Sequence, residues 1–173
     1  MEIKNAMDNL KMKEEKIMPL VLELNLLLAD LQVYNTKVKN FQWNALGKGG
    51  LELQNKFGEL HSSASLYSDK IAKRILILGY HPLSRLKDYV ELSTIEESLS
   101  KIPLSLMVQK IVQDISHLLK HISRCLKLAL SLDNYGTVDS LTYLTANFEE
   151  DLLGLQAWQK EKGTYFNTIH NKF

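Results

Sequence analysis

The chain has 173 residues, of which 45% are hydrophobic, so it can build one domain with a substantial core but is too short for two. Lysine and arginine number 21 against 20 acidic residues, and the net charge of +1 excludes a general attraction to nucleic acid or to an anionic membrane. The single cysteine, Cys125, excludes an internal disulfide and fits a reducing compartment.

The N-terminal residues MEIKNAMDNLKMKEEK mix acids with bases and lack the apolar centre of a secretion signal. No uninterrupted apolar run approaches the roughly 18 to 20 residues that span a bilayer. We therefore expect a cytoplasmic protein without a membrane partner, in which residues 1–18 form an N-terminal tail.

Apolar residues recur at steps of three and four over the first half of the chain, which predicts two long helices. The first helix begins in the turn at Pro19, because proline is tolerated in a first turn, and it ends at a glycine-rich break. The second runs from about Leu51 to Leu78, where Gly79 suits a left-handed C′ position and Pro82 prevents continuation.

The connection 80–101 is too long for a simple turn between antiparallel helices. Within it, the segment STIEESL pairs Ser93 with Glu96, or Thr94 with Glu97, as a capping box. This spacing predicts a short helix inside the crossover.

Two more long helices follow the crossover. Pro103 opens the third, which closes near SLDNYG, and Thr137 is the expected N-cap of the fourth. Four helices with one long connection predict an all-α fold, a ferritin-like four-helix bundle with a short extra helix between helices two and three. The predicted bundle covers residues 19–161, and residues 162–173 form a C-terminal tail.

Two runs carry a family resemblance: LLADLQVYNTKVKNFQWNALGKGGLELQNKFGELH and DKIAKRILILGYHPLSRLKDYVELSTI. They resemble the Dps proteins (DNA-binding proteins from starved cells), also called mini-ferritins. The resemblance implies a homo-oligomeric shell of twelve subunits. It also implies that the shell takes up iron ions, oxidises ferrous iron with peroxide between two-fold-related subunits and stores ferric mineral inside.

The family's oxidation site uses two histidines twelve residues apart and, from the partner subunit, an aspartate and a glutamate four residues apart. Here the matching positions hold Gln42, Gln54, Asp69 and Lys73. Amide oxygens are weak iron ligands, and the Lys73 ammonium repels a cation. The substitutions predict that oxidation at the two-fold contact is weak or absent, with no iron held there.

Two interpretations of these four positions are open. Gln42, Gln54, Asp69 and Lys73 can form a hydrogen-bonded interface without iron, in which Asp69 and Lys73 pair as a salt bridge and Trp43 serves packing only. Alternatively, Asp69 keeps some metal binding together with neighbouring groups.

A second candidate metal site lies in QDISHLLKHISRC on the third long helix. Asp114, His117, His121 and Cys125 follow one another at steps of three, four and four, which places them along one stripe. Two histidines four residues apart can chelate a divalent metal, although Cys125 is too far from His117 to share its ion. The alternative is a partly solvated helix face.

Acidic residues near the start of the fourth helix are candidates for iron entry. Asp139 matches a position that lines three-fold pores in the family, and Asp133 lies nearby in the sequence. An acidic pore attracts cations. The alternative is that Asp139 only stabilises the helix N-terminus.

DNA binding is expected to be weak, because the lysines of the N-terminal residues are balanced by acids and the C-terminal QKEKGTYFNTIHNKF is only mildly basic. Two function classes remain. One is a mini-ferritin for iron storage and oxidative-stress protection, and the other is a noncatalytic Dps-derived shell or scaffold with no iron role. The substituted positions leave open whether the chain is an enzyme.

Overall fold

The computed structural model describes the backbone of residues 2–170 and the side chains of residues 15–160. All its regular elements over this range are helices, and they confirm the predicted fold class. Four long helices form the bundle, and a short one, α3, lies in the crossover. The helices are α1 (Glu2–Asn44), α2 (Gly50–Ile77), α3 (Leu86–Leu92), α4 (Leu104–Ser131) and α5 (Tyr135–His170).

The core lies along the bundle axis, where α1 packs against α2 and α4, and α5 packs against α4. Aromatic rings fill its middle: Tyr34, Tyr67 and Phe148 meet edge to face at centroid distances of 5.0 to 6.0 Å. Each of the four long helices contributes the apolar stripe that its sequence period predicts. The largest fully buried side chains include Tyr34, Phe41, Phe57, Phe148, Leu20, Leu24, Leu27, Leu28, Leu31, Leu53, Leu60 and Ile71.

The turn between α1 and α2 is tight and depends on glycine. A Cβ added at Gly50 would lie 2.5 Å from the carbonyl oxygen of Ala45, so a side chain there would displace the turn. The Gln54 amide donates to the same carbonyl at 2.8 Å, which satisfies a group left over at the end of α1.

The end of α2 has the predicted glycine geometry. Gly79 has φ of 92°, its N–H donates to Leu76, and the Tyr80 N–H donates to Ile75. These two hydrogen bonds form a Schellman motif, which satisfies carbonyl groups at the C-terminal end of a helix.

The start of α1 differs from the prediction. We expected the helix to begin at Pro19, but α1 begins at Glu2 and Pro19 lies inside it. Proline removes one backbone hydrogen bond, yet the preceding sequence is rich in lysine, glutamate and methionine, which favour helix. The predicted tails 1–18 and 162–173 lie largely outside the described side chains.

The crossover helix is also displaced from its predicted position. The helix α3 is LKDYVEL, and Ser93, expected as an N-cap, is instead its C-cap with extended backbone. Neither capping box forms, because the Ser93 and Thr94 hydroxyls bind the side chain of Asp30 on α1. A long-range contact therefore replaced the predicted local one.

Helix α5 begins at Tyr135, three residues earlier than an N-cap at Thr137 predicts. Thr137 is not its N-cap but is fully buried inside the first turn. Asn134 serves the capping role, since its side-chain oxygen accepts the Thr137 N–H at 3.2 Å. Arg74 of α2 donates to both residues, at 3.1 Å to Asn134 and 3.2 Å to Thr137, and so ties α5 to α2.

By length and composition, the part of α1 from Glu15 to Asn44 would also suffice to cross a membrane. However, 56% of its most apolar stretch is buried against the other helices. The apolar character of α1 is that of a core helix of the bundle.

Candidate metal sites

The two glutamines that the resemblance aligns with the family's histidines have their amides engaged within the chain. Gln42, near the end of α1, accepts a hydrogen bond from the Lys39 ammonium at 3.0 Å. Its amide nitrogen lies so close over Gly58 that an added Cβ would be 2.7 Å away. Gln54 donates to the backbone at the α1–α2 turn.

Asp69 and Lys73 lie exposed on α2. The predicted salt bridge between them does not form within the single chain: among the described residues, neither has an ion pair at 4.0 Å or less. Trp43, expected to serve packing, is 68% exposed and lies outside the core, with the Lys39 ammonium 5.6 Å from its ring centroid. These side chains are presented to the outside of the subunit.

The stripe on α4 divides into two parts in the structure. Asp114 does not join the histidines, because it pairs with Lys37 of α1 at 2.6 Å in a largely buried position. Burial raises the pKa of the Asp114 carboxyl above its ordinary value, and the contact with Lys37 only partly offsets this. Within the described chain, Asp114 is therefore paired with Lys37 and is not grouped with the two histidines.

The two histidines of the stripe converge on Asp30 of α1. His121 Nδ1 lies 2.9 Å and His117 Nε2 lies 3.6 Å from Asp30 Oδ2. The Asp30 carboxylate also accepts the Thr94 N–H at 2.7 Å. Burial alone would raise the pKa of the Asp30 carboxyl. The hydrogen bonds that this carboxylate accepts, chiefly the one from His121, instead hold its pKa below the ordinary value.

His121 also joins a second group on its other side. Its Nε2 lies 3.0 Å from Glu23 Oε2, and Glu23, His121 and Cys125 each place one ligand atom within 4.8 Å of those of the other two. His121 and Cys125 are almost completely buried, and burial raises the pKa of the Cys125 thiol to about 12. The expectation of a partly solvated face is therefore wrong for these two residues, although His117 is partly exposed.

The sequence stripe revealed the α4 half of this cluster and missed the α1 half. Glu23 and Asp30 are seven residues apart, so they lie on one side of α1, and both interrupt a strongly apolar sequence. An acidic residue on an otherwise buried helix face was the signal that could have found them.

The candidate pore residues lie near the α4–α5 turn. Asp133 has a positive φ of 51° and accepts a hydrogen bond from the Tyr135 hydroxyl at 3.3 Å. Asp139 is exposed in the second turn of α5. Both carboxylates face away from the core, and their predicted role in iron entry requires other subunits.

Comparison with known proteins places the fold in a family. Residues 21–162 match the model of the ferritin-like domain. The DNA protection during starvation protein 2 of Bacillus anthracis is 32% identical over 135 residues, covering 78% of this chain and 92% of that protein. General stress protein 20U of Bacillus subtilis is 27% identical over 139 residues, covering 80% and 96%. The crystal structure of a Vibrio cholerae Dps protein, described as a member of a superfamily of ferritin-like diiron-carboxylate proteins, superposes with a TM-score of 0.81 at 30% identity, covering 83% and 91%.

Proposed function

Because this chain belongs to the Dps family of ferritin-like proteins, we propose that it forms a shell for iron storage and oxidative-stress protection whose two-fold oxidation site is weak or absent. Iron is the substrate and the stored cargo of this shell. The proposal has three parts: the shell, the weakened site and the route of iron entry.

The weakened site is supported by the geometry of the replaced ligands. The Gln42 oxygen already accepts a hydrogen bond from the Lys39 ammonium, and the Gln54 amide nitrogen donates to the α1–α2 turn. The amide oxygens at both positions are weaker iron ligands than the imidazole nitrogens they would replace. Of the four positions only Asp69 supplies a carboxylate. Lys73 presents a positive charge one turn away from it.

Assembly into a shell of twelve is supported by apolar side chains on the outside of the bundle. Such residues lie along α1 and α2 and on the crossover, where α3 buries no residue of its own. Exposed apolar side chains that gather into one patch mark protein interfaces, and Leu86 and Val90 lie one turn apart on α3. The most exposed examples are Leu22, Trp43, Leu46, Leu51, Ile77, Leu86, Val90 and Leu99.

Iron entry is assigned to an acidic pore formed by Asp139, with Asp133 nearby, where several subunits meet. Their exposure in the single chain fits this role, because carboxylates that line a pore focus a negative potential. DNA binding is proposed to be weak, since the charges of the N-terminal residues cancel.

The second candidate function is a noncatalytic shell or scaffold with no iron role, and the substituted site favours it. The two functions differ in what happens to ferrous iron.

We expect the purified native shell to oxidise ferrous iron with peroxide or oxygen little faster than buffer, but to retain iron inside when oxidation proceeds slowly. Stopped-flow absorbance followed by gel filtration with iron analysis measures both quantities. Iron that never coelutes with the shell would support the scaffold.

A further inference from the structure

The groove between α1 and α4 contains a cluster of buried ligand atoms apart from the two-fold positions. We propose that Glu23, His121 and Cys125 bind one Zn²⁺ ion within each subunit. Their ligand atoms, a carboxylate oxygen, an imidazole nitrogen and a sulfur, all lie within 4.8 Å of one another. At Zn–ligand bonds of about 2.0 to 2.3 Å, tetrahedral ligands are roughly 3 to 4 Å apart, so the cluster needs only small side-chain movements to close on the ion.

Asp30 fixes the protonation of the His121 ring. A carboxylate only accepts hydrogen bonds, so the Nδ1 atom that lies 2.9 Å from Asp30 Oδ2 carries the proton. The neutral ring then directs the lone pair of Nε2 toward Glu23. A carboxylate bound to the far nitrogen is the usual orienting partner of a zinc-bound histidine.

The contact between His121 Nε2 and Glu23 Oε2 identifies the place of the ion. The atoms are 3.0 Å apart, yet both are buried and neither has a hydrogen-bond partner among the described residues. A nitrogen lone pair and a carboxylate oxygen facing each other at this distance repel, and leaving both unsatisfied is unfavourable. A cation bound by both atoms removes the repulsion and satisfies both groups.

The ligand set selects the metal. A thiolate, an imidazole and one carboxylate suit Zn²⁺ better than ferrous iron, which lies below zinc in the affinity order of divalent metals. Binding displaces the thiol proton of Cys125 to solvent. The Glu23 side chain is 29% exposed and provides a path from the surface.

A metal-free alternative uses Arg124. Its Nε atom lies 3.6 Å from Glu23 Oε2, so Arg124 together with a protonated His121 could neutralise Glu23 without an ion. Arg124 itself is about half exposed, and its side chain can turn to solvent when a metal binds. Cys125 distinguishes the two arrangements, because only the metal site requires the thiolate.

Cobalt is the direct probe, because Cys125 is the only cysteine of the chain and a thiolate-to-cobalt absorption band can arise nowhere else. Chelator-treated native shell is titrated with Co²⁺ in the absence of oxygen. We expect a near-ultraviolet charge-transfer band that saturates at one Co²⁺ per chain and disappears when Zn²⁺ is added. A folded native protein without this band at saturating Co²⁺ would overturn the proposal.

Variants assign the ligands. Cys125→Ser should abolish the band, and Glu23→Gln should weaken Zn²⁺ binding by at least about tenfold. His81→Gln, at an exposed histidine elsewhere, is the matched control and should bind Zn²⁺ like the native protein. Circular dichroism and sedimentation verify that each variant stays folded and assembled. Native-like Zn²⁺ affinity in Glu23→Gln would show that Glu23 is not a ligand and would contradict the proposed site.

Discussion

At the residue scale, the Lys37–Asp114 pair shows how burial changes the meaning of a sequence pattern. Asp114 has the spacing of a metal ligand relative to His117, but its partner is a lysine 77 positions earlier in the chain. The Lys37 side chain is only 4% exposed. A charge so deeply buried requires a partner, and this requirement decides the role of Asp114.

Asp114→Asn should destabilise the protein by about 3 to 5 kcal/mol, because it leaves the buried Lys37 ammonium uncompensated. Removing both charges together, with Lys37→Met and Asp114→Leu, should be close to neutral or stabilising. Thermal unfolding at fixed protein concentration measures the differences. The exposed pair Lys87–Glu91 gives the control, since Lys87→Met should change stability by no more than about 0.5 kcal/mol. Equal stability of Asp114→Asn and Lys87→Met would show that the buried pair is not required.

The residues of the zinc cluster were only half predictable. A regular step of three and four on α4 identified His121 and Cys125, because helix geometry is local. Asp30 and Glu23 come from another helix, about ninety or more residues away in sequence, and no local rule pairs them. Asp30 and Glu23 come close to His121 only through the packing of α1 against α4.

At the element scale, the helices themselves were predictable from apolar period and glycine, whereas their ends were less so. The bounds of α2 and its closure at Gly79 followed from local sequence. The crossover helix was placed too late in the chain, since Ser93 and Thr94 bind Asp30 rather than capping a helix. Side chains with short hydroxyls serve caps and long-range contacts equally well, and sequence alone does not separate the two.

The start of α5 offers a test at this scale. Asn134→Ala removes the cap of the Thr137 N–H and an acceptor of Arg74, so stability should fall by about 1 to 2 kcal/mol. Asn147→Ala, at an asparagine further along α5, is the matched control and should have little effect or a slight stabilising one, because alanine favours helix. Chemical or thermal unfolding of both variants provides the comparison. If the Asn134 cap contributes nothing to stability, the unfolding curves of Asn134→Ala and Asn147→Ala would coincide.

At the scale of the whole molecule, the bundle leaves apolar residues exposed outside its core, and the proposed shell would cover them. Helix α3 is the plainest case: Leu86 and Val90 are 81% and 59% exposed, one turn apart on the same side. A seven-residue helix is marginal alone in water. Contacts with a neighbouring subunit would bury this face.

Replacing both Leu86 and Val90 with glutamate should therefore break the shell into smaller species, while the native protein sediments as a particle of twelve subunits at micromolar concentration. Lys87→Glu changes charge on the same helix without altering its apolar face, so this variant should still assemble. Sedimentation velocity measures the assembly state of the native protein, the double variant and Lys87→Glu. A native protein that sediments only as a monomer contradicts the shell itself.

The central claim, that the glutamines and the lysine remove the iron chemistry, is tested most directly by restoring the family ligands. A variant with Gln42→His, Gln54→His and Lys73→Glu beside native Asp69 has two histidines and two carboxylates across the two-fold contact. We expect native protein to oxidise ferrous iron with peroxide at nearly the buffer rate, and the variant to recover part of the activity, since the groups around the ligands are still those of the native chain. Stopped-flow oxidation of both shells under identical conditions is the measurement. A native rate equal to that of the restored variant, well above buffer, would contradict the account.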